Sequence, residues 1–491
     1  MSEKRKKFYI TTPIYYVNDK PHIGHAYTTI LVDVLARYHR FLGEEVFFLT
    51  GTDEHGAKVV MAAEKAGKNP KEFVSEISIK FRKLIKVLNI FNSNFIRTTD
   101  KKRHWPTVKK IWLKLKEKGD IYKKQYKGLY CVGCEAFITK KDLKDGKCIS
   151  HQKEPEIIEE ENYFFKLSKY AKKLERIIQK NEIKIIPQVR KNEVLNFIKQ
   201  GLEDISFSRP RKDLKWAIPV PDDSSASIYV WTDALSNYIS ALGYAKNSDK
   251  FKKFWPADVH CVGKDILKFH SIIWPGMLLS LGLPLPKTIF AHGHITINGQ
   301  KMSKSLGNVI DPFELVEKYG TDAVRYFLLR EISPFEDGDF THQKFEQRYN
   351  ADLANGLGNL VARVITMAEK VKIQNSKFKI TIQNSKLKKE IETTWRKYKK
   401  ALNEFKFNEA LITTWELISF CDRYIEKEKP WELLTNNKQQ TTNNKQQEVI
   451  SNLLYAISDI AEMLKPFLPE TSERIFNQLK NQKSEILFPR F

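Results

Sequence analysis

The sequence predicts an α/β protein whose parallel-sheet domain is followed by an all-α helix bundle, and three observations carry that prediction. Residues 7–17, KFYITTPIYYV, are β-branched and aromatic, as a buried strand requires. A turn at Asn18, Asp19 and Pro21 hands over to a helical periodicity from Ala26 to Phe41, marked by Ile30, Val34, Leu35 and Tyr38. A second strand, Glu45 to Leu49, then runs into the glycine-bearing stretch Thr50 to Gly56. Strand, turn, helix, strand opens a Rossmann-type nucleotide-binding unit, whose ligands sit beyond the carboxyl ends of parallel strands. From about residue 346 onward the strand signals stop and only amphipathic helical patterns remain, which reads as a bundle.

The chain has 491 residues, too many for one core, so several domains are expected. A first α/β half spans 1–117 and a second 226–290, where the pattern returns at Ile228 to Trp231 and Val259 to Gly263, with a helix through His270 and Trp274. Between them, 118–225 is a Lys-rich insertion with cysteines and short strands. A connecting segment, 291–345, holds a strand from Phe290 to Ile297, a basic loop at Lys301, and a helix start with Asp311 as N-cap and Pro312 at its first position. The helical region is 346–491, and it carries two polar repeats, Ile373–Lys377 echoed at Ile382–Lys386 and Thr435–Gln440 echoed at Thr442–Gln447. They are too short for repeat-fold units and read as tandem expansions in exposed connections.

The 83 Lys and Arg residues against 59 Asp and Glu give a net charge of +24, which favours a polyanionic partner, although a lysine-rich background accounts for part of it. The start, MSEKRKKFYITTPIYY, has no apolar run, so no secretory segment is expected. Ile272 to Leu285 is apolar but short and broken by Pro275 and Pro284, so no membrane span is expected either. Five cysteines make no disulfide framework here. Cys131-x2-Cys134 followed after 13 residues by Cys148-x2-His151 offers three thiolates and an imidazole, a closed tetrahedral zinc set of structural type. That spacing fits a reducing cytoplasm, with Cys261 and Cys421 left as buried hydrophobes.

Two short segments about 280 residues apart carry the chemistry. His22-Ile23-Gly24-His25 stands where a strand gives way to a helix, and a helix start favours an anion. Gly24 leaves room for a flat purine, and the imidazoles of His22 and His25 offer N–H donors to phosphate oxygens. Alone, the pair equally suits a helix cap. Lys301-Met302-Ser303-Lys304-Ser305 puts two compact ammonium charges between Gly299 and Gly307, suited to a leaving pyrophosphate; alone it reads as a basic surface loop.

Together, in this order, the two segments resemble the signature of class I aminoacyl-tRNA synthetases. The segments 11–18 (TTPIYYVN), 49–56 (LTGTDEHG), 229–238 (YVWTDALSNY) and 263–270 (GKDILKFH) narrow the resemblance to the methionyl-tRNA synthetase family, over essentially the whole chain. The resemblance implies a methionine–tRNA ligase that makes methionyl-adenylate from methionine and ATP, then charges tRNA(Met) for initiation and elongation. His22, His25, Lys301 and Lys304 become the catalytic positions, and Gly24, Asp265 and Lys304 the ATP contacts, with Mg²⁺ accompanying ATP. Ile14, Tyr16, Asp53, Trp231, Leu235, Tyr238, Ile266, Phe269 and His270 match the family's methionine pocket, with Asp53 as the carboxylate for the substrate ammonium. An apolar and aromatic set with one or two donors is what a thioether needs. Some members carry Pro and Gly where this chain has Leu235 and Asn237. Asn359, Arg363 and Trp431 match anticodon-reading positions in the 346–491 bundle; the first two are four apart and share a helix face. The insertion of about 110 residues is too small for the editing domain of the Ile, Val and Leu enzymes. A chain ending at Phe491 without an OB-like module is expected to be a monomer in the cytoplasm.

Overall fold

Seven strands, all parallel, form the central sheet: β1 (Lys7–Thr11), β2 (Tyr15–Tyr16), β3 (Glu45–Asp53), β4 (Asn94–Arg97), β5 (Lys184–Ile186), β6 (Val259–Gly263) and β7 (Thr288–His292). Their order is β5-β7-β6-β1-β3-β2, with β4 also paired to β3. In register, Tyr9 stands opposite Phe47, and Thr11 opposite His260. The coordinates are a computed structural model that describes residues 5–133, 135–138, 142–149, 152–302, 307–371, 382, 384–432 and 440–491. The chain divides into two compact units, one of residues 1–21, 39–86 and 90–292, the other of 22–38, 87–89 and 293–491.

In the first unit the sheet residues are apolar on both faces, as parallel strands covered on both sides must be, and Tyr9, Phe47, Trp112, Phe165, Tyr238 and Trp274 are buried in one core. The expected strand over 7–17 is interrupted. Pro13 has no N–H to donate, so the ladder stops at Thr11 and resumes at Tyr15 and Tyr16 opposite Thr52 and Asp53. The span expected as an insertion holds antiparallel strands, Ile121–Cys131 against Glu156–Phe165, and a small hairpin of Leu143–Lys144 and Lys147–Cys148. It also supplies β5, which lies at an edge of the parallel sheet. Ile228 to Trp231 does not return to that sheet. Asp223–Ile228 is antiparallel to Ser208–Pro210, and Val230–Leu235 is helical. A four-residue apolar run suits either structure.

The second unit contains most of the helix α1 (Ile23–Phe41). The strand expected from Phe290 to Ile297 is two strands, β7 and Ile295–Ile297, the latter paired with Gln300–Lys301 and Gly338–Phe340. Asp311 caps the helix Pro312–Tyr319 as expected, accepting the Phe313 N–H at 2.9 Å. Beyond residue 346 the regular elements among the described residues are all helices, including Asn359–Val371, Ser385–Asn403, Phe407–Glu428, Gln440–Leu464 and Pro469–Asn481. The repeat copies at 373–377 and 435–439 lie outside the described residues. The copy at 442–447 is helical, and Gln446 is buried and donates to Pro430 O, so that copy is not an exposed connection. No helix among the described residues is long and apolar enough to cross a membrane.

A buried ion pair fixes α1 within its unit. Asp33 and Arg325 are both fully buried, 2.8 Å apart, and Arg37 also donates to the Asp33 carboxylate. Arg325 spends its remaining donors on the carbonyls of Leu88, Pro466 and Phe467. Removing one member of such a pair strands the other charge away from water. Asp33→Asn should therefore lower unfolding free energy by about 3–5 kcal/mol, read as a drop in the urea midpoint; a loss under 1 kcal/mol on the same scale would contradict this account.

Candidate functional site

In the first unit, the chain leaves β1, β3 and β6 at their carboxyl ends through Ile14 and Tyr16, through Asp53, and through Asp265 to His270. The topology thus delivers most of the predicted pocket from three distant stretches of sequence. Trp231, on the helix Val230–Leu235, stacks on Phe269 with centroids 3.7 Å apart and planes at 12°. Phe269 begins a π-helical turn, Phe269–Ile273. His270 Nδ1 lies 2.9 Å from the Ile266 carbonyl, and its Nε2 lies 2.7 Å from Tyr238 Oη. A carbonyl only accepts, so Nδ1 carries the proton and Tyr238 Oη donates to Nε2. Burial pulls the His270 imidazole down to about 4, which keeps it neutral. Leu235 is buried in the same core, and Ile14 and Ile266 pack partly buried against it.

Asp53 ends β3, and its carboxyl is pushed well above the usual range, first by burial and then by the nearby charges of Asp233 and Glu135. Burial also raises the Tyr16 phenol, with Glu135 and Asp53 adding to it. Asp233, which no spacing in the sequence singles out, joins two elements: His55 Nδ1 and His104 Nε2 each lie 2.7 Å from one of its oxygens, all three side chains being buried. Burial would raise Asp233, but the two imidazoles hold it below the ordinary carboxylate value. His104 in turn meets Ser240 Oγ at 2.7 Å. The partners lie 178 and 129 residues apart, so no local spacing announced them. Asp265 is exposed and, with Phe269, lines a cavity of about 410 Å³ that also includes Tyr126, Phe164, Phe197 and Lys268; the other predicted pocket residues do not line it.

In the second unit, His22 and His25 stand at the start of α1, ring centroids 3.8 Å apart. The Gly24 N–H donates to His22 Nδ1 and the His22 N–H to His25 Nδ1, both at 3.1 Å. With both Nδ1 atoms accepting, each neutral ring carries its proton on Nε2. Burial, with His22 beside it, holds His25 well below the usual histidine value. A Cβ on Gly24 would stand 3.0 Å from the His22 ring and 3.5 Å from the Met302 methyl. The Ile23 N–H donates to Ile310 O at 3.1 Å. The two signature segments therefore meet in this unit, although the Lys301 side chain and Lys304 lie outside the described residues.

Cys131 and Cys148 are buried in one small cluster with Ile138, Leu129 and Leu143. Cys134 and His151 lie outside the described residues. Cys261 and Cys421 are buried, as expected; burial raises both thiols, and Asp422 and Glu390 add to the rise of Cys421 to about 12. In the helical region, Arg363 pairs with Glu426 at 2.7 Å and lies over the Trp431 ring at 5.9 Å, one turn beyond the exposed Asn359.

Residues 8–142 and 138–365 match the family described as tRNA synthetases class I (M), and 384–491 match the anticodon-binding domain of tRNA ligase. The chain is 47% identical over 480 residues to the methionine–tRNA ligase of Thermotoga maritima, an alignment covering 96% of this chain and 75% of that protein. The chain belongs to the methionyl-tRNA synthetase family of class I. The family's Bacillus subtilis enzyme is 43% identical over 528 positions, covering 100% of this chain and 79% of its own length. The methionyl-tRNA synthetase of Mycobacterium tuberculosis in complex with methionyl-adenylate superposes with a TM-score of 0.92 at 34% identity, covering 99% of this chain and all of that one.

The neutral buried imidazoles in this synthetase make stability acid-sensitive. His260 and His270 are held below the ordinary histidine value by burial, so between about pH 6.5 and about 4 the unfolded chain binds protons that the folded chain refuses. Stability should fall by about 1 kcal/mol per histidine for each pH unit below about 6.5. Urea unfolding at pH 7.5 and 5.5 should show this, with a smaller drop in His270→Gln.

Proposed function

We propose that the residues above run the methionyl-tRNA synthetase reaction in the roles that follow. The chain is a methionine–tRNA ligase: methionine and ATP give methionyl-adenylate and pyrophosphate, and the methionyl group then passes to the 3′-terminal adenosine of tRNA(Met). The match to ligases of this specificity, over 96–99% of this chain and 75–79% of the relatives' own length, carries the reading.

Asp53 takes the substrate ammonium. Its carboxyl is reluctant to ionise alone, and the ammonium supplies the missing countercharge. Ile14, Tyr16, Trp231, Leu235, Tyr238, Ile266, Phe269 and His270 wall the thioether. The uncharged His270 suits a side chain whose sulfur is only a weak acceptor. At the nucleotide, Gly24 admits the adenine, Asp265 takes the ribose hydroxyls, and the Nε2–H groups of His22 and His25 meet the α-phosphate oxygens as the methionine carboxylate attacks. Lys301 and Lys304 meet the departing pyrophosphate, and Mg²⁺ bound with ATP would supply charge neutralisation at the phosphates.

Cys131, Cys134, Cys148 and His151 would hold one zinc ion. The two described thiols share a cluster with few apolar partners, the setting in which a metal cross-link substitutes for a core, so its contribution there is structural. Unoxidised metal ligands fit a cytoplasmic location. For tRNA, the charge of +24 supplies general attraction, while Asn359, Arg363 and Trp431 read the anticodon, with Trp431 stacking on an unpaired base.

ATP–pyrophosphate exchange tested across the twenty amino acids should be strong with methionine only, and Lys304→Ala should slow it by roughly 100-fold or more, the size of one lost transition-state donor. Strong exchange with another amino acid would overturn the specificity, and undiminished exchange in Lys304→Ala the lysine's role. Methionine affinity should also fall as pH is lowered, because protonated Asp53 cannot pair with an ammonium. Titration by tryptophan fluorescence at pH 6 and 8 checks the sign, and Asp53→Asn should bind about 100-fold more weakly with no such pH dependence.

A further inference from the structure

The cysteine-bearing loop touches the first unit's amino-acid region through Glu135 and Gly133. The helix α2 (Ala57–Lys65) begins directly after Asp53-Glu54-His55-Gly56. Its N-cap residue is Gly56, which has no side chain with which to satisfy the first N–H groups of the helix. Glu135, 77 residues away, does so instead: its Oε1 accepts the Lys58 N–H at 3.0 Å, putting an anion on the positive end of the helix. The same lysine grips the loop a second time, its Nζ donating to the Gly133 carbonyl. Glu135 is buried, although it sits in a loop, and its φ of 48° lies in the left-handed region that side chains avoid unless their surroundings hold them there.

Glu135 also converges with Tyr16. A Cβ on Gly56 would overlap Tyr16 Oη and stand 3.1 Å from Glu135 Oε1, and the φ of Gly56 is +127°. The glycine thus lets a phenol from β2 and a carboxylate from the cysteine loop close on the same backbone atom, three residues after Asp53. The residue before Glu135 is Cys134, and the loop opens at Cys131. Glu135 thus sits in the same short loop as two of the proposed metal ligands.

We infer that Glu135 is a positioning residue that couples the cysteine knuckle to methionine binding, by capping α2 and fixing the Asp53–Gly56 turn against Tyr16. With the knuckle closed, the cap is made and the turn is rigid. With the knuckle open, Glu135 withdraws, the first turn of α2 loses its anion, and Tyr16 and Asp53 lose a common support. The inference rests on the proposed methionine pocket and metal set.

The test measures methionine dissociation constants by intrinsic fluorescence, with metal content, for the full chain before and after treatment with a strong chelator. Glu135→Ala should retain its metal yet bind methionine about five- to tenfold more weakly, the size of a lost helix cap. Glu135→Gln, whose amide oxygen still accepts the Lys58 N–H, should stay within about twofold of the parent. In exchange assays the loss should fall on KM for methionine, with kcat nearly unchanged. Chelation should weaken the parent to the level of Glu135→Ala and leave Glu135→Ala where it was. Parent-like affinity in Glu135→Ala, or equal weakening of both proteins by the chelator, would overturn the coupling. A parent without a saturable methionine signal would instead refute the pocket, and one purified without metal would refute the ligand set.

Discussion

In the central sheet every strand points the same way, so the chain can emerge from a strand only along one edge. That constraint governs the first unit. The segments after β1, β3 and β6 are all released there, and they carry Ile14 and Tyr16, Asp53, and Asp265 through His270. The sheet itself contributes backbone pairing and a dry core. What it fixes for chemistry is the origin of each segment, and the finer placement falls to side chains. Asp233, held between His55 and His104, ties the Trp231 helix to the end of β3 and to the helix that begins near residue 105. Buried polar groups of this kind are satisfied at both ends, which is the condition under which they specify one geometry.

The second unit solves a different problem with similar means. A pair of imidazoles at a helix start is useful only if the helix cannot slide. α1 is held at its first turn by the Ile310 carbonyl and in its middle by Asp33, whose partner Arg325 is satisfied by three carbonyls as well. The pairing is costly to desolvate and costly to break, so it adds register more than net stability.

Much of this was legible in the sequence because it was periodic or close-spaced. The first strand, α1, β3, β6, the Asp311 cap and the helical end all follow from local pattern. Cys131 and Cys148 share one small cluster, and Arg363 lies over Trp431. The failures have a common cause. Val230–Leu235 is too short and too apolar for its period to be read, and β5 is a three-residue strand in a lysine-rich stretch. Asp233 and Glu135 act across 77 to 178 residues, where no interval in the chain encodes the partner. Pro13, by contrast, was visible and its effect was calculable: a missing N–H interrupts a ladder.

The hydrogen bonds of the Tyr238–His270 pair leave a selective imprint on what can lodge beside it. The imidazole proton is engaged by the Ile266 carbonyl, the lone pair by the tyrosine, and the ring stays uncharged. A guest bearing a carboxylate, an ammonium or a guanidinium would surrender its hydration and receive no counter-ion in exchange. In the proposed methionine pocket, charged side chains would thereby be turned away by solvation alone. Under that proposal, discrimination would be needed only among apolar side chains of comparable length, against the stacked rings of Trp231 and Phe269.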